Sequence, residues 1–320
     1  MRIKIGNTPL VKIQYRYNGK EDNIYTKLEF YNITGSIKDR VAYYIIKEAY
    51  KSGKLTKGMT IVEATSGNTG ISLAALGAYF GNPVHIFMPD WVSSERTNLM
   101  KMYGAEVTLI SKEDGGFKRA IREAEKYAKE NNGFLSNQFE NQANVLAHYE
   151  TTGKEIIEQL DGKVDAFVSG IGTGGTLMGI AKRFKEINEN AKIYALEPDK
   201  MPLLSKGKII ENHKIEGIGD DFIPKIVDKT MIDEIILVND EDAINMARKI
   251  ALDLGIGVGI SSGANMIVSV LAKEKTQGNV VTVFPDDNKK YLSTDLSKRI
   301  DDNERFVSNK IEILDYEFIK

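Results

Sequence analysis

One lysine stands where a nucleophilic amine can be built. In Asn32-Ile33-Thr34-Gly35-Ser36-Ile37-Lys38-Asp39-Arg40 a polar, glycine-containing turn runs into a segment that reads as a helix from Asp39 to about Gly53. The Asn, Thr and Ser oxygens can cap free helical amides, and Gly35 permits a tight backbone approach. An amine held at such a helix mouth loses freedom and solvation, which lowers its pKa and makes it a carbonyl nucleophile. A lone lysine beside a helix cap is ordinarily solvated, so the case depends on two glycine-rich loops further along.

The first loop, Thr65-Ser66-Gly67-Asn68-Thr69-Gly70, lies between an apolar strand and an apolar helix. Thr65, Ser66 and Thr69, with the Asn68 amide, make a donor-rich cradle suited to a carboxylate or phosphate. The second, Gly170-Ile171-Gly172-Thr173-Gly174-Gly175-Thr176, follows a strand and opens a helix, which places bare amides at a helix N-terminus. It also satisfies G-x-G-x-x-G, with Glu197 after the next strand, so a dinucleotide site of an NAD-dependent dehydrogenase is open. Against that, Thr173 and Thr176 add hydroxyl donors that suit a terminal phosphate. An amine, a carboxylate cradle and a phosphate cradle together fit pyridoxal 5'-phosphate. Lys38 would form the Schiff base, one loop would hold the phosphate, and the other an amino-acid carboxylate. The dehydrogenase reading leaves Lys38 and the first loop without roles.

The elements that must position these residues alternate. Strand-like segments at residues 24–29, 60–64, 84–88, 106–110, 166–169, 193–196 and 280–284 are separated by helical stretches. Short apolar strands spaced by helices predict an α/β protein with largely parallel sheets and helices on both faces. The 320 residues suffice for two modest domains. A formal net charge of -2 offers no footprint for nucleic acid or an anionic membrane. Without cysteine there is no disulfide, thiolate nucleophile or zinc–thiolate site, and His85, His148 and His213 lack metal-ligand spacing. No apolar run reaches membrane-spanning length, and Met1-Arg2-Ile3-Lys4 has no signal-peptide pattern, so a cytoplasmic protein without a metal is expected.

Eight ordered segments carry a resemblance. They are Ile5-Gly6-Asn7-Thr8-Pro9-Leu10, residues 34–40, residues 65–70, Asn137-Gln138-Phe139-Glu140-Asn141, Tyr149-Glu150-Thr151-Thr152-Gly153, residues 172–176, Gly217-Ile218-Gly219 and Gly259-Ile260-Ser261-Ser262-Gly263. With them the chain resembles the cysteine synthase and cystathionine β-synthase family of pyridoxal-phosphate enzymes, of tryptophan-synthase-β-like fold (fold type II). The resemblance implies that Lys38 holds the cofactor and removes the substrate α-proton. It implies that Gly172, Thr173, Gly174, Gly175 and Thr176 bind the phosphate, Asn68 the phenolic oxygen, and Ser261 faces the pyridine nitrogen. Thr65, Ser66, Asn68, Thr69, Gln138 and Gly217 would bind substrate. A hydroxyl at the ring nitrogen does not keep it protonated, so prompt loss of a Cβ leaving group is favoured over transamination. The implied reaction is β-replacement through an α-aminoacrylate, of cysteine synthase type: O-acetyl-L-serine and sulfide to L-cysteine. A homodimer is implied, as is division into a smaller mobile substrate-loop domain, residues 36–146, and a larger cofactor-phosphate domain, residues 1–35 plus 147–320.

The departures from the family pattern bear on the substrate. Ile33 and Gln142 stand where proline is usual, at some cost in loop rigidity. Phe284-Pro285-Asp286-Asp287-Asn288-Lys289-Lys290-Tyr291 lacks the family's Gly-Glu-Arg and reads as surface change, and the tail after Arg299 is charged and weakly patterned. Asp220-Asp221 replaces the Ala-Gly of typical O-acetylserine-using members. Asp221 is shared with the cystathionine β-synthase branch and fits a structural role. Asp220, where it faces the substrate's Cβ and not solvent, would serve as general acid or base. It would repel a sulfide anion by about 1–4 kcal/mol at close range. That biases the chain toward L-cysteine as first substrate, with release of hydrogen sulfide and addition of water or a second thiol to give serine, lanthionine or cystathionine.

Overall fold

The computed structural model describes residues 3–298 and 303–319. Met1, Arg2 and residues 299–302, on which part of the N-terminal and tail readings fall, lie outside that range. The chain opens with β1 (Leu10–Tyr17) and β2 (Lys20–Leu28), an antiparallel hairpin. Its turn is Asn18-Gly19, both with positive φ, the pairing that matches the twist of two-residue hairpins. Helix α1 (Lys38–Lys51) follows, beginning at Lys38 itself. Then come β3 (Ile61–Ala64), α2 (Asn68–Phe80), β4 (Val84–Pro89), α3 (Ser94–Met102), β5 (Glu106–Ile110), α4 (Gly116–Glu130) and the short β6 (Phe134–Leu135). These four strands form a parallel sheet in the order β5-β4-β3-β6. β3 and β4 are wholly buried, which is why their sequences run apolar without alternation. Ala42, Ile46, Ile71 and Leu73 of α1 and α2 cover one face, and Ala120, Ala124 and Ala128 of α4 the other.

The second half runs α5 (Gln142–Ala147), a π-turn (His148–Thr152), α6 (Gly153–Gln159), β7 (Ala166–Gly170), α7 (Gly175–Ile187), β8 (Lys192–Pro198) and α8 (Leu203–Lys206). It continues with β9 (Glu234–Val238), α9 (Asp240–Leu254), α10 (Ile260–Lys273), β10 (Val280–Phe284) and β11 (Ile311–Ile319). A seven-stranded sheet has the order β11-β1-β2-β10-β7-β8-β9. Its members from β2 to β9 pair in parallel, whereas β1 is antiparallel to both β2 and β11. α9 and α10 pack on one face of this sheet and α7 on the other. The weakly patterned tail is therefore structured: β11 completes the sheet beside β1.

A cluster of four charges, three of them buried and Glu155 nearly so, locks α1 in place. Arg40 bonds Glu29 through Nε and Nη2 (2.7 and 2.9 Å) and Glu155 through Nη1 and Nη2 (2.6 and 2.8 Å). Lys27 Nζ pairs with Glu155 at 2.7 Å and donates to the Thr8 carbonyl at 2.6 Å. Two cations thus face two carboxylates, which makes their burial tolerable. Burial opposes the charge on Glu155, but bonds from Arg40 and Lys27 outweigh it and hold its carboxyl down to about 2. The cluster joins the end of β2, α6 and the first turn of α1.

Two outcomes follow for stability. Replacing Arg40 by Leu strands buried carboxylates with Lys27 alone, and urea unfolding should show a loss of about 3–5 kcal/mol. Because the folded pKa of Glu155 lies below its ordinary 4.5, its contribution is complete above that pH and is lost as pH falls toward 2. Unfolding midpoints measured across that window in wild type should fall more steeply than in Glu155→Gln.

Candidate active site

The loops that leave the carboxyl ends of β3 and β7 meet at one cavity with the start of α1. Lys38, Thr65, Ser66, Asn68, Thr69, Gln138, Gly172, Thr173, Gly174, Thr176, Gly217, Asp220 and Ser261 all line this single cavity. Gly175 lies just behind it, where a Cβ would overlap the Asn144 side chain. The residues that the pyridoxal-phosphate reading assigns to catalysis, cofactor and substrate thus line this cavity or stand directly behind it.

Lys38 enters as the first residue of α1, its amide bonded to Ser36 Oγ at 3.3 Å. Its amine is closed in by protein, and that burial lowers its pKa, opposed by the negative charges of Asp220 and Asp286. A depressed amine of this kind is the nucleophile that imine chemistry needs. Asp39, next in the helix, holds the preceding turn in shape by accepting bonds from Thr34 N and Oγ1 and from Ser72.

The loop after β3 is tied to the segment carrying Gln138. Thr69 Oγ1 donates to Gln138 Oε1 at 2.6 Å, and Gln138 Nε2 donates to the Ala64 carbonyl at 3.1 Å. Beneath them lies Glu63, whose carboxylate accepts from Ser136 Oγ (2.5 Å), Gln138 N (3.0 Å) and Ala64 N (2.8 Å). Burial pushes Glu63 up to about 7 against these bonds. The hydroxyls of Thr65 and Thr69 are therefore engaged inside the cradle, Thr65 accepting from Gly67 N.

The loop after β7 presents bare backbone. Gly174 is left-handed at φ +87°, and a Cβ on Gly172 would overlap the Gly217 carbonyl. Asn144 Nδ2 donates to Thr173 Oγ1 at 2.8 Å, and His148 bonds Thr176 and Thr152 through its two ring nitrogens. Burial, with the charges of Lys38 and Arg40, depresses His148 far below its usual range, so its ring is neutral. Neither Asn144 nor His148 had a legible signal in sequence. Glu197 does not reach the cavity: its carboxylate caps α8 through Leu204 N and Ser205 N, so the dinucleotide reading loses its ribose ligand. The 172–176 loop with the α7 N-terminus fits a phosphate dianion. Asn68, in the remaining wall, has its Oδ1 buried without a protein partner. The donor set thus fits pyridoxal phosphate.

The 215–222 segment closes the front. Asp220 lies in the cavity wall, and burial, then the neighbouring Asp221 charge, raise it to about 6 while Lys38 pulls it down. Asp221 turns away and pairs with Lys118 at 2.9 Å. Phe222 packs on Phe117 and Phe139. Arg96 of α3 lies over the Tyr291 ring and pairs with Glu216. In front, the cavity widens into a recess of about 780 Å³ that includes Trp91, Lys112, Phe117, His213 and Asp220.

One expectation is corrected. The 286–291 segment is not surface: Asp286, Lys290 and Tyr291 are buried, and Asp286 bonds Asn68. Contacts more than 200 residues apart in the chain make this segment part of the site, which its polar composition conceals.

Comparison with known proteins accords with this site. Residues 1–286 match the family described as pyridoxal-phosphate dependent enzyme. A cysteine synthase of Staphylococcus aureus is 44% identical over 295 residues, 91% of this chain and 94% of that one. A hydrogen sulfide-producing enzyme of Fusobacterium nucleatum superposes with a TM-score of 0.93 at 48% identity, covering 97% of this chain and 94% of the other. The cysteine synthase of Entamoeba histolytica gives 0.86 at 41% identity, over 96% and 93%.

Gly175→Ala drives a methyl group into Asn144 and displaces the Thr173 bond. Affinity for pyridoxal phosphate, read as retention on dialysis, should fall by at least about tenfold, and the thermal midpoint of the cofactor-free protein should fall as well, by about 1–3 kcal/mol of stability.

Proposed function

As this chain belongs to the pyridoxal-phosphate dependent enzymes, we propose that it catalyses β-replacement at Cβ of a serine- or cysteine-type L-amino acid, of cysteine synthase type. The observation that carries this is the convergence of one depressed amine, one phosphate cradle and one carboxylate cradle on a single cavity. Pyridoxal phosphate, bound there, supplies the electron sink that lets the Cα–H bond break and the Cβ substituent leave.

The chain's residues divide the rest of the work. Lys38 holds the cofactor and moves the substrate α-proton. Gly172, Thr173, Gly174, Gly175 and Thr176 hold the phosphate, and Asn68 the phenolic oxygen. Thr65, Ser66, Thr69 and Gln138, with Gly217, orient the substrate carboxylate. Ser261, a hydroxyl of α10, faces the ring nitrogen without protonating it. Residues 36–146 form the smaller mobile domain and residues 1–35 with 147–320 the larger. The Lys118–Asp221 and Arg96–Glu216 pairs and the Phe117, Phe139 and Phe222 rings bridge the two and exclude water on closure. The proposed protein is a cytoplasmic homodimer, for which sedimentation should give twice the 35.7 kDa chain mass.

A second reading is favoured by Asp220, which lies in the cavity wall with its acidity moved to about 6. Here L-cysteine is the first substrate, sulfide leaves, and water or a second thiol adds at Cβ. Ionised Asp220 takes the proton of the incoming nucleophile, and the recess in front has room for one larger than sulfide.

Sulfide release from L-cysteine should rise with pH through about 6 in wild type. In Asp220→Asn it should be about 100-fold slower and lack that limb, while O-acetyl-L-serine with sulfide is turned over as before or faster. Unchanged rates on both substrates would remove Asp220 from the chemistry. Lys38→Ala should abolish both reactions and the yellow colour of the protein.

A further inference from the structure

Asp286 is a buried carboxylate with no place in the reaction as described. It is fully enclosed, and Oδ2 accepts from both Asn68 Nδ2 (2.7 Å) and Tyr291 Oη (2.8 Å). Oδ1 has no partner and lies against Gly259, where a Cβ would overlap it. Among the described residues Asp286 forms no ion pair. Both donors on it are neutral, and its negative charge, after that of Asp220, favours the charged form of the Lys38 amine.

Its backbone is equally placed. Ile37 N donates to the Pro285 carbonyl at 2.8 Å, and Ser36 bridges to Asp286, immediately before Lys38. On the other side Gly259 N donates to the Asp286 carbonyl at 3.1 Å, two residues before Ser261. Three residues assigned to the cofactor, Lys38, Asn68 and Ser261, come from three distant parts of the chain. All three are tied to Asp286, two through backbone and one through its carboxylate.

We propose that Asp286 is a positioning residue for the cofactor: it registers the Lys38 and Ser261 segments, fixes which way the Asn68 amide turns, and adds its negative charge to that of Asp220 in the surroundings of the Lys38 nitrogen. This rests on the reading that those three residues hold pyridoxal phosphate. As an obligate acceptor, Asp286 forces Asn68 to direct its NH₂ group toward it. Its charge favours the protonated form of the Lys38 nitrogen. The other titratable groups around that nitrogen are Asp220, from the 215–222 segment, and His148, from the π-turn. Around Asp286 itself stand Tyr291 and, over the Tyr291 ring, Arg96 of α3 paired with Glu216. Lys290 and Asp287, in the same turn, face one another at 3.9 Å.

The test uses the cofactor-loaded protein. The visible absorption band is titrated with pH in wild type, Asp286→Asn and Tyr291→Phe, and retention of pyridoxal phosphate on dialysis is measured on the same samples. Asp286→Asn should move the midpoint to lower pH by about one unit or more and weaken retention about tenfold. Tyr291→Phe keeps the carboxylate, so its midpoint should stay at the wild-type value. An Asp286→Asn protein that titrates like wild type, or a Tyr291→Phe protein shifted equally, overturns the proposal. If Asp286→Asn does not fold, Asp286→Glu takes its place. It keeps the charge but displaces the acceptor, so it should keep the midpoint and lose retention; unaltered retention overturns the proposal. Failure of the underlying reading would look different: Lys38→Ala would keep the wild-type band.

Discussion

Four interlocked charges, Lys27, Glu29 and Arg40 sealed from water and Glu155 nearly so, decide where the reactive lysine stands. Arg40 is the third residue of α1 and Lys38 the first, so the residue that both carboxylates grip shares the first helical turn with the lysine. A flexible four-carbon side chain cannot by itself hold an amine at a reacting carbonyl. The helix mouth has to be immobile first, and the cluster makes it so from beneath. Because each member is the other's counter-charge, the arrangement tolerates no single replacement without leaving a buried charge unpaired.

Everything else in the site is arranged around that fixed point. The two sheets contribute one loop each from the carboxyl ends of β3 and β7, and each loop is stiffened by a buried residue behind it. Glu63 ties the first loop to Gln138, and Asn144 with the neutral His148 braces the second. The front wall is a third segment, in which neighbouring aspartates are driven apart in role by their surroundings. Asp221 is neutralised by Lys118, while Asp220 stays near the amine, with its acidity shifted toward neutrality. Proximity of an acid near pKa 6 to a depressed amine is what distinguishes this cavity chemically.

Much of this was legible before any coordinates. Lys38, both glycine loops and most parallel strands announce themselves through local rules: turn residues, hydroxyl density, and apolar runs of strand length; Ser261 stands out only through the family resemblance. What escaped was set by long-range contact. The β1–β2 hairpin carries a clear Asn18-Gly19 turn, yet the apolar pattern marks only a strand at residues 24–29, and β11 looks like a charged tail because an edge strand buries little of itself. Asp286, Lys290 and Tyr291 sit in a polar stretch that composition assigns to the surface. Only partners such as Asn68 and Gly35, more than 200 residues away, bring them inside. Glu63 and His148 are likewise ordinary in sequence and acquire meaning from what the fold packs on them.

The claim on which the rest turns is that Lys38 is the residue that carries the cofactor. Borohydride reduction of the yellow protein, followed by proteolysis and mass mapping, tests it most directly. The account predicts that the pyridoxyl phosphate mass is found on the peptide containing Lys38 and on no other. The same mass on Lys27, Lys290 or a surface lysine, or an unmodified Lys38 in fully reduced protein, would contradict it.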